Sequence, residues 1–113
     1  MIGIREAREE NLGAILKLLE ENDMYTKDVE KLLPTFILAV DDDKIIGCLA
    51  HMIFENGVFV LKSMAIAEKY KRKGIAIQLN QLKIEWAKEN KFSRVYARTL
   101  KTNKRAKKLL GKN

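Results

Sequence analysis

Residues 64–76 read MAIAEKYKRKGIA, and this stretch decides the interpretation of the whole chain. It joins an apolar segment to a helical pattern that starts at Gly74, through a loop that carries Lys69 and residues 71–73, which are Lys, Arg and Lys. The first amides of a helix have no acceptor within the helix and lie at the positive end of its dipole. A phosphate group therefore gains both hydrogen bonds and a favourable field there. The stretch predicts a site for an anionic, nucleotide-like ligand.

Two common phosphate motifs are excluded by the same stretch. A dinucleotide fingerprint needs three glycines, and a P-loop needs a Lys and a Ser or Thr after its second glycine. Neither pattern is present around Gly74. The remaining alternative is that the basic loop is a solvated charged surface, and the loop taken by itself does not distinguish this from a phosphate site.

Strand and helix patterns alternate around this junction. Strands are predicted at 2–6, 36–40, 45–54, 58–66 and 94–99, and helices at 9–21, 26–33, 74–89 and in a final segment that Asn103 caps. Short turns join the second, third and fourth strands into an antiparallel meander, and the fourth is apolar on both faces. The long helix has a predicted buried stripe of Ile75, Leu79, Leu82 and Trp86. We expect an α/β (α+β) fold with a mixed, mainly antiparallel sheet flanked by helices.

The composition is that of one globular domain spanning residues 1–113. Apolar residues make up 47% of the chain, no apolar run is long enough to span a membrane, and the charged N-terminus does not resemble a secretion signal. Cys48 is the single cysteine, so we expect a buried thiol in the reducing cytoplasm. One Cys and one His without paired spacing predict no metal site.

The charge is unevenly distributed along the chain. Residues 1–43 carry 5 basic and 11 acidic side chains, whereas the remainder carries 17 basic and 4 acidic ones. This asymmetry favours an anionic partner for the C-terminal part, and residues 91–113 hold nine basic side chains and no acidic one. A nucleic-acid surface is one explanation, but the sequence has no zinc-finger spacing and no RNA-binding signature.

The junction resembles the cofactor motif of the general-control-related N-acetyltransferases, the GNAT family. That motif is Arg or Gln, two residues, Gly, one residue, then Gly or Ala. Here Lys71 stands in the first position, while Gly74 and Ala76 match. Asn103, followed three residues later by Ala106, is similar to the start of the family's late helix, and the order of elements agrees from residue 2 to residue 112.

The resemblance implies acetyl-CoA as cosubstrate and assigns residues to it. Backbone groups of Met64, Ala65 and Ile66 would hold the pantetheine arm, with one amide donating to the thioester oxygen. Beside Lys71, the amides from Arg72 to Ile77 would hold the pyrophosphate, and Asn103 would add a side-chain contact. This second set is Lys71, Arg72, Lys73, Gly74, Ile75, Ala76, Ile77 and Asn103.

Two departures from the family bear on activity. Leu110 stands where the family often has a Tyr that protonates the leaving thiolate. The family also continues into a final pair of strands, so we expect this fold without that pair. An uncovered sheet edge invites pairing with another chain, which favours a homodimer.

No catalytic base is identified, and two residues are weak candidates. Lys62 lies in an apolar strand on the predicted face of Val60 and Met64, where it either binds the carboxylate of an amino-acid acceptor or reaches past the strand to solvent. His51, the only histidine, is either a base or a structural residue.

Three functions are consistent with the sequence. The favoured one is acetyl transfer from acetyl-CoA to a primary amine of an amino acid or another small molecule. The second is a CoA-binding protein of this fold with weak or no activity. The third is a basic nucleic-acid-binding protein.

Overall fold

The computed structural model describes residues 1–97, which form a mixed sheet covered on both faces by helices. The strands are β1 (Ile2–Glu6), β2 (Ile37–Asp41), β3 (Lys44–Ile53), β4 (Phe59–Ile66) and β5 (Val95–Ala97), and the helices are α1 (Leu12–Glu21), α2 (Val29–Leu32) and α3 (Ile75–Glu89). The sheet order follows the chain, with β1 to β4 antiparallel and β5 parallel to β4. The predicted α/β class and the antiparallel meander are confirmed. The final predicted helix, with Asn103 and Leu110, lies outside the described residues.

The core has two layers, one on each face of the sheet. Side chains of α1 and α2 pack with Leu38, Cys48 and Ala50 on one face, which we call the α1 face. Side chains of α3 pack with Leu49 and Phe59 on the other, the α3 face. Residues of β4 occur in both layers, which confirms that this strand is covered on both sides.

The predicted stripe of α3 is wrong at two positions. Leu82 and Trp86 are 44% and 41% exposed, whereas Lys83 is 5% exposed and Ala87 is fully buried. The helix contacts the sheet through residues four apart from Ile75 onward, and this row places Lys83 inside. The prediction was wrong because it assigned only apolar residues to the buried stripe, and it therefore left out Lys83.

Strand β4 contains a bulge that the sequence did not reveal. Cys48 pairs with Ala65 and Ala50 with Lys62, so Ser63 and Met64 lie opposite a single residue of β3. Ser63 has a φ of +59°, an unfavourable value that glycine usually adopts in such bulges. The extra residue inverts the alternation, so Met64 packs on the α3 face and Ala65 on the α1 face. The expectation that Lys62 and Met64 share a face is therefore wrong.

The segment before β2 is less regular than predicted. The helix expected at 26–33 is reduced to α2, followed by a 3-10 turn over Leu33–Thr35 that contains Pro34. Another 3-10 turn, Glu9–Asn11, precedes α1. In the part of the chain that the structure describes, no helix is long and apolar enough to cross a bilayer.

Candidate functional site

The N-terminus of α3 has the backbone geometry of an anion-binding turn. Gly74 caps the helix in the left-handed region at φ +81°, and Arg72 is also left-handed at φ +66°. No side chain of the described residues caps the helix, and the first backbone bond into it is donated by Gln78 to the carbonyl of Gly74. Within residues 1–97 the amides from Arg72 to Ile77 therefore find no acceptor. Successive free amides of this kind form a concave site for an anion.

The loop before α3 supplies positive charge and is held to the sheet at one point. Residues 71–73, two lysines and an arginine, are exposed, and Nζ of Lys71 lies 3.2 Å from Oε1 of Glu68. The hydroxyl of Tyr70 donates to Oδ2 of Asp41 at 2.6 Å, which fixes the loop to the end of β2. The same bond lowers the pKa of Asp41 and raises the pKa of Tyr70. The loop is thus anchored, while Arg72 and Lys73 are exposed and form no ion pair among the described residues.

The end of β4 is fixed from both faces of the sheet. Nδ2 of Asn22, at the end of α1, donates to the carbonyl of Ile66 at 3.2 Å. The amide of Ala67 donates to the carbonyl of Ile46 at 2.8 Å. On the α3 face, Ile66 packs so closely over Gly47 that an added Cβ would lie 3.0 Å from the Ile66 side chain. The strand therefore enters the basic loop in one defined position.

These elements fit the cosubstrate that the sequence predicted. Met64 belongs to the bulge, and Ala65 and Ile66 follow it and lead directly into the loop, so all three share one end of the molecule with the amides of 72–77. A bulge leaves backbone groups outside the strand ladder, where they can contact a ligand. A Cβ built on Gly74 would meet no atom of the described residues within 4 Å, so nothing in that part of the chain blocks a pyrophosphate above the turn. Asn103 lies outside the described residues.

Lys62 and Asp28 form an ion pair on the α1 face. Nζ of Lys62 donates to Oδ2 of Asp28, and the two side chains are 17% and 19% exposed. Lys62 is the residue just before the bulge, whereas Asp28 precedes α2. The other oxygen, Oδ1 of Asp28, is buried and has no hydrogen-bond partner among residues 1–97. Sequence reasoning identified Lys62 but missed its partner, because Asp28 lies 34 residues away in an acidic segment with no distinctive pattern.

His51 lies on the opposite face, in contact with Lys83. Its ring stacks on both Phe59 and Trp86, with centroids 4.5 and 5.2 Å away, and those two rings also contact each other. Nζ of Lys83 lies 2.8 Å from Nδ1 of His51 and donates to the carbonyl of Thr35. Burial, and then the charge of Lys83, lower the pKa of His51 to about 4, so the ring is neutral at pH 7 and accepts the bond. The structure thus places His51 and Lys62 on opposite faces of the sheet.

Cys48 is a structural thiol, as the sequence predicted. It is fully buried, and burial raises its pKa to about 12. Its Sγ contacts the carbonyl of Ser63 at 3.5 Å, beside the bulge. The thiol is protonated at neutral pH, so it is unsuited to carry an acyl group. Residues 1–97 contain no cluster of side chains that could hold a metal ion.

Comparison with known proteins shows which family has this architecture. Residues 4–112 match the acetyltransferase (GNAT) family. The chain is similar to streptothricin acetyltransferase A of Bacillus subtilis, with 33% identity over 76 aligned residues. These aligned residues make up 67% of this chain and 44% of that protein. The chain thus spans less than half the length of that relative.

Solved structures agree on the fold. A GNAT-family acetyltransferase of Staphylococcus aureus Mu50 superposes with a TM-score of 0.84 at 19% identity, covering 96% of this chain and 80% of that one. N-acetylglutamate synthase of Neisseria gonorrhoeae, complexed with coenzyme A and N-acetyl-glutamate, gives a TM-score of 0.77 at 20% identity, covering 96% and 28%. The fold is that of the GNAT-family acetyltransferases. The chain belongs to the GNAT acetyltransferase family.

Proposed function

We propose that this protein transfers an acetyl group from acetyl-CoA to a primary amine of a small molecule. The observation that carries the proposal is the set of amides from Arg72 to Ile77 that have no acceptor among residues 1–97, placed beside the bulged end of β4. Family membership supports acetyl-CoA as the donor. The pyrophosphate would be held by these amides, with Lys71 and Lys73 adding charge. The backbone from Met64 to Ile66 would hold the pantetheine arm.

The chain's own groups would contribute mainly orientation and electrostatic stabilisation. In the transfer, the amine nitrogen attacks the thioester carbonyl, the carbon–sulfur bond breaks, and the thiol of CoA leaves with the proton that the amine loses. A backbone amide near the bulge would donate to the carbonyl oxygen as it gains charge. Holding both reactants in one place supplies a large share of such a rate enhancement.

The ion pair of Lys62 and Asp28 is our proposed acceptor site. It directly precedes the bulge, so it lies next to the point where the thioester would sit. Oδ1 of Asp28 lacks a donor among the described residues, and an acceptor amine would supply one. Lys62 can give a further donor to a carboxylate or hydroxyl of the same acceptor. An amino acid or an amino sugar would satisfy both residues, and the similar proteins named above are a streptothricin acetyltransferase and an N-acetylglutamate synthase.

Cytoplasmic location and a homodimer are further parts of the proposal. The reduced, buried Cys48 is compatible with a reducing compartment. In the sheet of residues 1–97, β1 pairs only with β2 and leaves an exposed edge where a second copy could pair. Sedimentation of the purified chain measures this directly, and a monomer at high concentration would contradict the dimer.

The proposal is tested in two steps, binding and then turnover. Acetyl-CoA at about 100 times its dissociation constant should stabilise the chain by about 2.7 kcal/mol, seen as a higher melting temperature. Release of free CoA thiol is then followed with a panel of amino acids and aminoglycosides, and the acetylated product is identified by mass. Absence of binding contradicts the cosubstrate. Binding without turnover over the whole panel favours the alternative of a CoA-binding protein.

A further inference from the structure

A cavity of about 360 Å³ lies on the α3 face, at the end of the sheet away from the proposed cosubstrate site. The last residue of β1, the turn before β2 and the C-terminal half of α3 form its walls. Lys83 and Trp86 come 8 and 11 positions after Ile75, which places Lys83 about 12 Å along the helix axis from its N-terminus. The cavity is therefore separate from the amides of 72–77, and the sheet separates it from Lys62 and Asp28.

The cavity contains a buried cation without a carboxylate in contact. Lys83 is 5% exposed, and its hydrogen bonds go to a carbonyl and to the neutral ring of His51. The three ion pairs of the described residues do not include Lys83. A buried ammonium of this kind is costly unless a negative group compensates it. A carboxylate in the cavity would supply that compensation.

An opposite charge lines the same cavity. Glu6, at the end of β1, is a lining residue, and its charge raises the pKa of Lys83, although burial dominates and lowers that pKa to about 8. Glu6 and Lys83 form no ion pair with each other, so both charges are available to a ligand in the cavity. A ligand with only a carboxylate would be repelled by Glu6, and one with only an ammonium would be repelled by Lys83. The two charges together favour a zwitterion.

The remaining walls are apolar or aromatic except at Thr35. Pro34, Phe36, Ile37, Leu82 and Trp86 line the cavity. Leu82 and Trp86 keep 44% and 41% of their surface exposed, although Trp86 is large and stacks on His51. An apolar side chain on the ligand would cover this surface. The volume is at the small end of the roughly 300–1,000 Å³ range of small-molecule sites, which fits a ligand of amino-acid size.

We propose that this cavity is a second binding site, specific for a free α-amino acid with an apolar or aromatic side chain. The carboxylate lies against Lys83, the ammonium against Glu6, and the side chain against Trp86 and Leu82. The inference does not depend on acetyl transfer, since it uses none of the residues assigned to that reaction.

Trp86 makes the test site-specific, because it is the only tryptophan of the chain. L-phenylalanine is titrated into the full chain while tryptophan emission is followed, and a saturable change with a dissociation constant of about 1 mM or lower is expected. Two analogues serve as matched probes, 3-phenylpropionate without the amine and 2-phenylethylamine without the carboxylate. Each should bind at least about tenfold more weakly, since each leaves one charge of the cavity unpaired.

Variants separate this site from a nonspecific effect. Lys83→Met and Glu6→Gln should each weaken L-phenylalanine binding about tenfold or more, whereas Lys88→Met, an exposed lysine on the same helix, should not change it. Glu6 is exposed, so its variant stays informative if Lys83→Met fails to fold. Lack of a saturable signal, equal binding of the analogues, or equal effects of the Lys83 and Lys88 variants would each overturn the proposal. Acetyl-CoA binding is measured in parallel, so failure at this site and failure at the cosubstrate site are told apart.

Discussion

Nζ of Lys83 lies 2.8 Å from Nδ1 of His51, so the one buried cation of residues 1–97 is hydrogen-bonded to the one histidine of the chain. Both groups are bases, and burial lowers the pKa of each. The charge of the acidic residue Glu6 has the opposite effect, since it raises the pKa of Lys83. The pair therefore makes the stability of the fold depend on pH in two separate ranges.

The first prediction concerns Lys83 at alkaline pH. Its pKa falls from 10.5 in the unfolded chain to about 8 in the folded one, so between these values the unfolded chain binds the extra proton. The free energy of unfolding attributable to Lys83 should therefore rise with pH across this range, by on the order of 1–2 kcal/mol after allowance for solvent at the cavity mouth. Urea unfolding of the native chain and of Lys83→Met measures this rise as a difference. Parallel pH profiles for the two proteins would contradict it.

The second prediction concerns His51 at acidic pH. The folded pKa is about 4 against 6.5 in the unfolded chain, so on acidification the unfolded chain takes up the proton first. The contribution of His51 to stability should be complete above pH 6.5 and should fall as the pH drops towards 4. His51→Gln lacks this titration, so the stability difference between it and the native chain should change within that window. A constant difference across the window would show that the ring is not held neutral.

Gly74 is the subject of the third prediction. Its φ of +81° is strained for any residue with a Cβ, so Gly74→Ala should cost about 1–2 kcal/mol, although no neighbour blocks the added atom. The same change should weaken acetyl-CoA binding, because relief of the strain would rotate the amides of the turn. Gly13→Ala is the matched control, since Gly13 lies in α1 with open space around it and should gain up to about 1 kcal/mol. Chemical denaturation and a CoA titration measure the two effects. Unchanged CoA affinity in Gly74→Ala would contradict the assigned role of the turn.

The fourth prediction tests how tightly β3 packs under α3. A Cβ on Gly47 would lie 3.0 Å from Cδ1 of Ile66, 3.3 Å from Cβ of Ala39 and 3.5 Å from Cγ2 of Ile75. Gly47→Ala should therefore destabilise the fold by about 1–3 kcal/mol through overpacking. Because Ile75 is the first residue of α3, the shift should also weaken CoA binding slightly. Urea unfolding checks the main effect, and a stability equal to that of the native chain would show that Ile66 moves aside without cost.

The sequence predicted most of the fold because periodicity and turn residues act locally. The strands of the meander, the start of α3 at Gly74 and the basic loop all follow from neighbouring residues. Three features of the structure could not be predicted from neighbouring residues, and the first two are the bulge of β4 and the burial of Lys83. The bulge at Ser63 carries no glycine to reveal it, and the burial of Lys83 depends on which row of α3 meets the sheet.

The third feature is the pairing of Asp28 with Lys62. It joins residues 34 positions apart, and such a contact is fixed only when α2 packs on the sheet. The proposed cosubstrate residues could be named from the sequence because backbone amides in consecutive positions would perform that role. The proposed acceptor residues, Lys62 and Asp28, could not be paired from the sequence, because they come from distant elements of the chain.

The fifth prediction separates structure from function at Lys62 and Asp28. Lys62→Met leaves the carboxylate of Asp28 four-fifths buried without its cation, and Asp28→Asn leaves Lys62 without its anion. Each variant should lose about 1–3 kcal/mol of stability in urea unfolding, and the double variant should lose less than the sum because the two losses share one interaction. Lys27→Met is the control, since Lys27 is exposed and adjacent to Asp28, and it should stay within about 0.5 kcal/mol of the native chain.

Kinetics then decide whether the same pair binds the acceptor. If Oδ1 of Asp28 accepts a hydrogen bond from the amine, Asp28→Asn should raise the KM for the acceptor about tenfold, while the KM for acetyl-CoA stays near its native value. A purely structural pair would instead lower the amount of folded protein and leave both KM values unchanged. Asn keeps the shape of Asp and one side-chain oxygen but not the negative charge. This variant therefore tests specifically whether the charged carboxylate is needed. An unaltered acceptor KM in folded Asp28→Asn would restrict the pair to holding α2 against β4.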